Sequence, residues 1–185
     1  GGFEYQARPQ RGQDYEQTVE ITLLEAYHGT TRALEKDGQR LEVKIPPGAK
    51  TGTRVRMSGQ GGRGGAGGPA GDLYLRVKVL SDARFEHRGN NLHVTVPVDL
   101  YTMVLGGEVP VPTMTGNVLL NIPPGTQNGR KFRLRGKGMP YLRQPSKRGD
   151  LYAKMEVQLP TKLTAQQRDL FEHLRKISKS EQGGT

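Results

Sequence analysis

Gly59-Gln60-Gly61-Gly62-Arg63-Gly64 satisfies the glycine spacing that lets a backbone approach a dinucleotide pyrophosphate. That chemistry needs a strand before the glycines and a helix after them, whose N-terminus holds the anion. More glycines follow here, and then the alternating stretch Leu73 to Val79, so the run predicts a flexible hairpin loop. No Gly-Lys-Ser/Thr ending is present, which removes a P-loop. His28, His87, His93 and His173 are scattered, without the paired spacing of a metal site. The chain has 0 Cys, so it can form no disulfide, thiolate zinc site or iron–sulfur cluster, and reducing surroundings are permitted. There is no G-x-S-x-G elbow and no carboxylate pair that spacing alone brings together. No enzyme activity, metal or cofactor is expected.

The remaining chemistry is charge. The chain carries +10, and Arg130, Lys131, Arg133, Arg135, Lys137, Arg143, Lys147 and Arg148 fall in one stretch without an acid. Lys131, Arg133 and Arg135 share the solvent parity of a strand that would bury Phe132 and Leu134. Either this is a solvated sheet face, or it contacts phosphates or acidic protein segments. Tyr141 is the one exposed aromatic candidate for base stacking, so sequence-specific reading of nucleic acid is not expected. No apolar run approaches the roughly 18 residues of a membrane span, and no membrane association is expected.

The elements that position these groups are organised by a duplication. Leu41-Glu-Val-Lys-Ile-Pro-Pro-Gly48 returns as Val118-Leu-Leu-Asn-Ile-Pro-Pro-Gly125, an offset of 77 residues. Gly52, Gly59 and Gly61 match Gly129, Gly136 and Gly138 at the same offset, and Val19, Ile21 and Leu23 match Val96, Val98 and Leu100. Gly71-Asp-Leu-Tyr74 returns as Gly149-Asp-Leu-Tyr152 at 78, as one inserted residue explains. A long period present twice reads as a duplicated domain rather than a solenoid.

Each copy alternates apolar and polar residues with period 2, as in Val19/Ile21/Leu23, Leu41/Val43/Ile45, Val55/Met57 and Leu73/Leu75/Val77. Asp37-Gly38 is a two-residue hairpin signal. With 26 Gly and 12 Pro, turns and short strands are favoured over a helical bundle. The fold class is mainly β: two tandem small antiparallel sandwiches or barrels of duplicated origin, plus a C-terminal α-helix. That helix is announced by Thr164 and Gln167 as a capping box, with Leu170, Phe171, Leu174 and Ile177 on one stripe. The stripe either packs on the second domain or pairs with a second copy of the chain. The expected division is a flexible lead-in over 1–16, β-domains over 17–83 and 84–160, and helix and tail over 161–185.

Several segments together resemble the C-terminal half of a DnaJ-family co-chaperone. They are the two Ile-Pro-Pro-Gly turns, the two Gly-Asp-Leu-Tyr strands, Leu24-Glu-Ala-Tyr-His-Gly-Thr-Thr-Arg32, Gly89-Asn-Asn-Leu92, Leu105-Gly-Gly-Glu108 and Gly136-Lys-Gly-Met-Pro140. The resemblance covers about residues 17 to 177. It implies binding of unfolded client polypeptides, delivery to a DnaK-type chaperone, a cytoplasmic setting and a homodimer made through the Leu170/Phe171/Leu174/Ile177 helix. Gly1-Gly2-Phe3 would be a trace of the family's Gly/Phe-rich linker. The family's J domain carries His-Pro-Asp, which does not occur in these 185 residues. Zinc-containing members insert Cys-x-x-Cys motifs where this chain has the Asp37-Gly38 turn, so it resembles the zinc-free, CbpA-like branch.

The resemblance further implies a first-domain groove in which a client strand adds beside an exposed edge. By motif, Leu34, Met57, Leu73 and Leu75 would line its apolar pocket and Arg32 would face acidic client residues. All four apolar residues are equally reasonable as core. The alternative function is DNA binding of an architectural kind through Arg130, Lys131, Arg133, Arg135 and Lys137, as curved-DNA binding in CbpA-like relatives suggests.

Overall fold

The computed structural model describes residues 7–183. The opening Gly1-Gly2-Phe3 therefore lies outside the described residues. The first half contains β1 (Tyr15–Ile21), α1 (Leu23–His28), β2 (Thr30–Lys36), β3 (Gln39–Ile45), β4 (Arg54–Met57) and β5 (Leu73–Val79). The second contains β6 (Glu86–Arg88), β7 (Asn91–Asp99), α2 (Leu100–Leu105), β8 (Gly107–Thr113), β9 (Gly116–Ile122), β10 (Lys131–Leu134), β11 (Pro140–Tyr141), β12 (Gln144–Arg148) and β13 (Leu151–Gln158). The last element is α3 (Ala165–Gln182). The fold is mainly β, in several small sheets with a C-terminal helix.

The duplication is visible bond by bond. In the first half β1-β5-β4 form one sheet and β2-β3 a hairpin; in the second, β10-β13-β7-β6 form one sheet and β8-β9 a hairpin. Gly52 donates its amide to the Val77 carbonyl at 2.8 Å, and Gly129 donates to the Met155 carbonyl at 2.8 Å. The alternation expected from sequence is borne out, because Ile21, Ile45, Leu75 and Val77 in one half and Val111, Ile122, Leu151 and Met155 in the other are fully buried. Burying one face of each strand is what removes this apolar surface from water.

Three expectations are corrected. The sheets are not purely antiparallel: β1 runs parallel to β5, with Val19 opposite Val77, and β7 runs parallel to β13. Parallel neighbours need a crossover, supplied here by α1 or α2, a hairpin and the following strand. Leu23 is not a strand residue, for it opens a short helix after the chain turns at Thr22, as its repeat match Leu100 does after Asp99. Thr22 accepts the Glu25 amide and Glu25 accepts the Thr22 amide, a complete capping box hidden inside a period-2 reading. Finally, β1 starts at Tyr15, within the supposed flexible lead-in.

The glycine run explains that early start. Gln10 and Gly65 exchange backbone hydrogen bonds, Gly12 donates to the Pro69 carbonyl, and Gly62 donates to the Gln13 carbonyl at 2.7 Å. A Cβ on Gly71 would sit 2.1 Å from the Gln13 oxygen. The loop of residues 59–71 thus grips the backbone of residues 10–13, rather than a nucleotide or open solvent.

Candidate functional site

A shallow groove of about 350 Å³ opens between β3 and β4, walled by Val43, Lys44, Val55, Arg56 and Met57 among others. β4 is an edge strand of its sheet, and β2 and β3 pair only with each other. Each of these strands therefore has an edge with unused backbone donors and acceptors among the described residues. Unpaired strand edges template the addition of a further strand. The hairpin that frames the groove is set by Asp37 and Gly38, whose φ values of 52° and 75° are those of the tight two-residue turn.

The residues named from sequence divide into two groups. Leu34 and Met57 are half-buried and pack on the core from its rim, as does Val55. Met57 lines the groove directly, whereas Leu34 stands on β2 opposite Leu41 and is not part of its wall. Leu73 and Leu75 are 6% and 0% exposed, because β5 is the central strand of its sheet and these positions face the core. They stand opposite Met57 and Val55 across the sheet and are not among the residues that wall the groove. Val55 is the apolar wall that motif matching passed over, although it shares the parity of Met57.

Arg32 already has a partner within the chain. Its guanidinium donates to Glu25 Oε1 at 2.8 Å and to the Glu20 carbonyl at 3.3 Å. Burial pushes the Glu25 carboxyl up, but donation from the Thr22 amide and Thr30 hydroxyl, with the Arg32 charge, holds it below its ordinary value. Lys36, at the far end of β2, donates to the Gln60 and Gly61 carbonyls and fastens the hairpin to the glycine loop. Arg56 is held by Asp72 at 2.7 Å, and the Gly59 amide, before Arg56, is the main reason that Asp72 lies below its ordinary value. The polar rim is thus positioned by internal pairs.

Several bases of the second-half stretch are engaged in separate contacts within the chain. Arg133 is bound to Asp150 at 2.6 Å, Arg130 lies 4.7 Å from the centre of the Phe132 ring, and Arg135 and Lys137 occupy the turn after β10. Lys147 covers Tyr141, which is half-buried rather than exposed. Arg148 reaches back over Tyr27 of the first half at 5.0 Å. The β11–β12 hairpin that carries these last groups was not legible as strands, since the stretch lacks an apolar alternation.

α3 has no buried residue among those described. Leu170, Leu174 and Ile177 are 58%, 57% and 44% exposed, while Phe171 meets Tyr101 of α2 at 6.4 Å between ring centres. One member of the stripe therefore touches the second half and three face outward. Among the described residues no cluster of His, Asp or Glu could hold a metal ion, and no helix is long and apolar enough to cross a membrane.

Comparison with known proteins adds to this geometry. The family model of the DnaJ C-terminal domain matches residues 15–160. The chaperone protein DnaJ of Acidithiobacillus ferrooxidans is 48% identical over 132 residues, covering 71% of this chain and 35% of that protein. The chaperone protein DnaJ of Bartonella quintana is 46% identical over 152 residues, covering 82% of this chain and 40% of that protein. The chaperone protein DnaJ of Deinococcus proteolyticus is 39% identical over 167 residues, covering 90% of this chain and 51% of that protein. The chain thus spans between about a third and a half of the length of these relatives.

Proposed function

The chain belongs to the DnaJ C-terminal domain family, and from that premise we propose that it is the client-binding region of a co-chaperone, holding unfolded or partly folded polypeptide without catalysis. The observation that carries this reading is the groove between β3 and β4, where unpaired strand edges lie beside the half-exposed Val55 and Met57. An extended segment adds to an edge through backbone hydrogen bonds, which any sequence can supply, while the apolar wall selects side chains. Met57 suits varied anchors because its thioether is flexible and polarizable. Leu34 extends the apolar rim, and Arg32 contributes positive charge through whatever capacity Glu25 leaves it.

On this reading residues 17–83 and 84–160 act as two client-binding β-domains, and α3 pairs two chains through Leu170, Leu174 and Ile177. Two grooves on one dimer would raise avidity for a client long enough to reach both. Delivery to a DnaK-type chaperone in a bacterial cytoplasm, through a J domain of the full-length family, completes the proposal. The missing cysteines support the zinc-free branch. No observation favours the DNA-binding alternative, since Arg130, Arg133 and Lys147 are each engaged within the chain.

The test is a titration of a permanently unfolded protein against wild type and the double variant Leu34→Ser with Met57→Ser. Both changes are at half-exposed sites, and a thermal melt checks that the variant is folded. Affinity is expected to fall on the order of tenfold, from loss of two apolar contacts. Unchanged affinity in a folded variant rejects the groove.

A further inference from the structure

The two copies differ in their ion pairs, among them those made by Glu16. On the outer face of the first sheet, Arg54 of β4 stands opposite Arg76 of β5, and Glu16 of β1 neutralises both, at 3.6 Å and 2.9 Å. The same register in the second sheet puts Lys131 of β10 opposite Lys154 of β13. The position of Glu16, however, is taken by His93, which stacks on Tyr152 at 5.2 Å between ring centres. Two like charges directly opposite on a sheet repel. Among the described residues neither lysine pairs with a carboxylate.

This uncompensated pair lies in a cleft of about 870 Å³ between the first sheet's end and the second sheet's outer face. Arg84, Arg88 and His87 also line it, and His87 Nε2 is buried without a partner among the described residues. Two acids share the lining, but both are engaged. Glu86 gives its two oxygens to Arg88 at 2.9 Å and 3.0 Å, although its field also reaches His93 and Lys131. Asp82 accepts the amides of Arg84 and Phe85. Glu156 follows on the same face of β13, opposite Pro97.

We propose that this cleft binds a compact phosphate-bearing anion between Lys131, Lys154 and His93, a site that the first half cancels with Glu16. The unpaired cations Lys131 and Lys154 are point charges suited to phosphate oxygens, whereas the Arg88 guanidinium is held bidentately by Glu86 and Arg84 lies over the Phe85 ring, 3.9 Å from Asp82. Of the eight basic residues between Arg130 and Arg148, only Lys131 lines the cleft. Its volume suits a ligand of small-molecule size rather than a duplex.

The experiment is calorimetric titration of the whole chain with inorganic tripolyphosphate at low ionic strength. One anion per chain is expected. His93→Glu restores the counter-ion of the first half and should weaken binding at least about tenfold, as should Lys131→Ala with Lys154→Ala. Arg135→Ala with Lys137→Ala, outside the cleft, should leave it within about twofold. Absence of binding, equal loss in all variants, or full binding by a folded His93→Glu chain overturns the proposal. A hexaglutamate peptide or a single-stranded oligonucleotide that binds more tightly than tripolyphosphate also overturns it, in favour of an acidic-peptide or nucleic-acid surface. Should His93→Glu fail to fold, the lysine pair alone decides.

Discussion

Asp72 Oδ1 accepts the Gly59 amide at 2.8 Å, and the same carboxylate holds Arg56, so one acid ties the turn after β4 to the start of β5. The second copy repeats this with Asp150, Gly136 and Arg133. In both Gly-Asp-Leu-Tyr segments it is the aspartate that makes this tie. Donation from Gly59, ahead of Arg56, holds Asp72 below its ordinary value of 3.8. A carboxyl depressed on folding contributes stability that is complete above its unfolded value and is lost as pH falls through its folded one. Asp72→Asn is therefore expected to melt below wild type at pH 7, with the gap closing as pH falls below 3.8. Melting curves from pH 7 to roughly pH 2 check this, and a gap that stays constant contradicts it.

Leu75 and Met57 separate packing from binding. Leu75 is 0% exposed, so Leu75→Ala should cost about 2–5 kcal/mol through lost transfer energy and a cavity. Met57→Ser at the groove rim should cost about 1 kcal/mol and weaken client binding more than it weakens the fold. Denaturant unfolding and client titration on both variants give the comparison. A Leu75→Ala chain of normal stability would contradict the core assignment.

The outward stripe of α3 makes a prediction about assembly. Leu170→Ser with Leu174→Ser removes apolar surface that is more than half exposed in the single chain. It should change monomer stability by no more than about 0.5 kcal/mol. Sedimentation should show a dimer for the parent and a monomer for the variant, and for a chain truncated after Thr164. A dimer that survives truncation assigns the contact elsewhere.

Gly138 tests the grip that both copies use. Its amide donates to the Gly149 carbonyl at 2.9 Å, and an added Cβ would lie 2.5 Å from the Asn90 carbonyl oxygen and from the Gly149 backbone. Both obstacles are main chain, so Gly138→Ala must move a strand entry and should cost about 1–3 kcal/mol. Gly136→Ala meets nothing within 4 Å, but its φ of 70° strains an L-residue by a smaller amount. Thermal melts should place Gly138→Ala below Gly136→Ala.

Periodicity and repetition by themselves determined the β class, the strand phases, the duplication and the final helix, because burial of one face and the capping of Thr164 are local in sequence. They did not determine which partner each strand takes. Parallel pairing of β1 with β5, the grip of residues 59–71 on residues 10–13 and the burial of Leu73 and Leu75 all depend on segments far apart in the chain. The same holds for charge. A run of bases is legible at once, but only the tertiary structure decided that Asp150 holds Arg133, that Phe132 lies against Arg130, and that Lys131 and Lys154 face each other where Glu16 has no counterpart. Net charge sums over residues, whereas an unpaired charge is a statement about distance, and distance is settled by the fold.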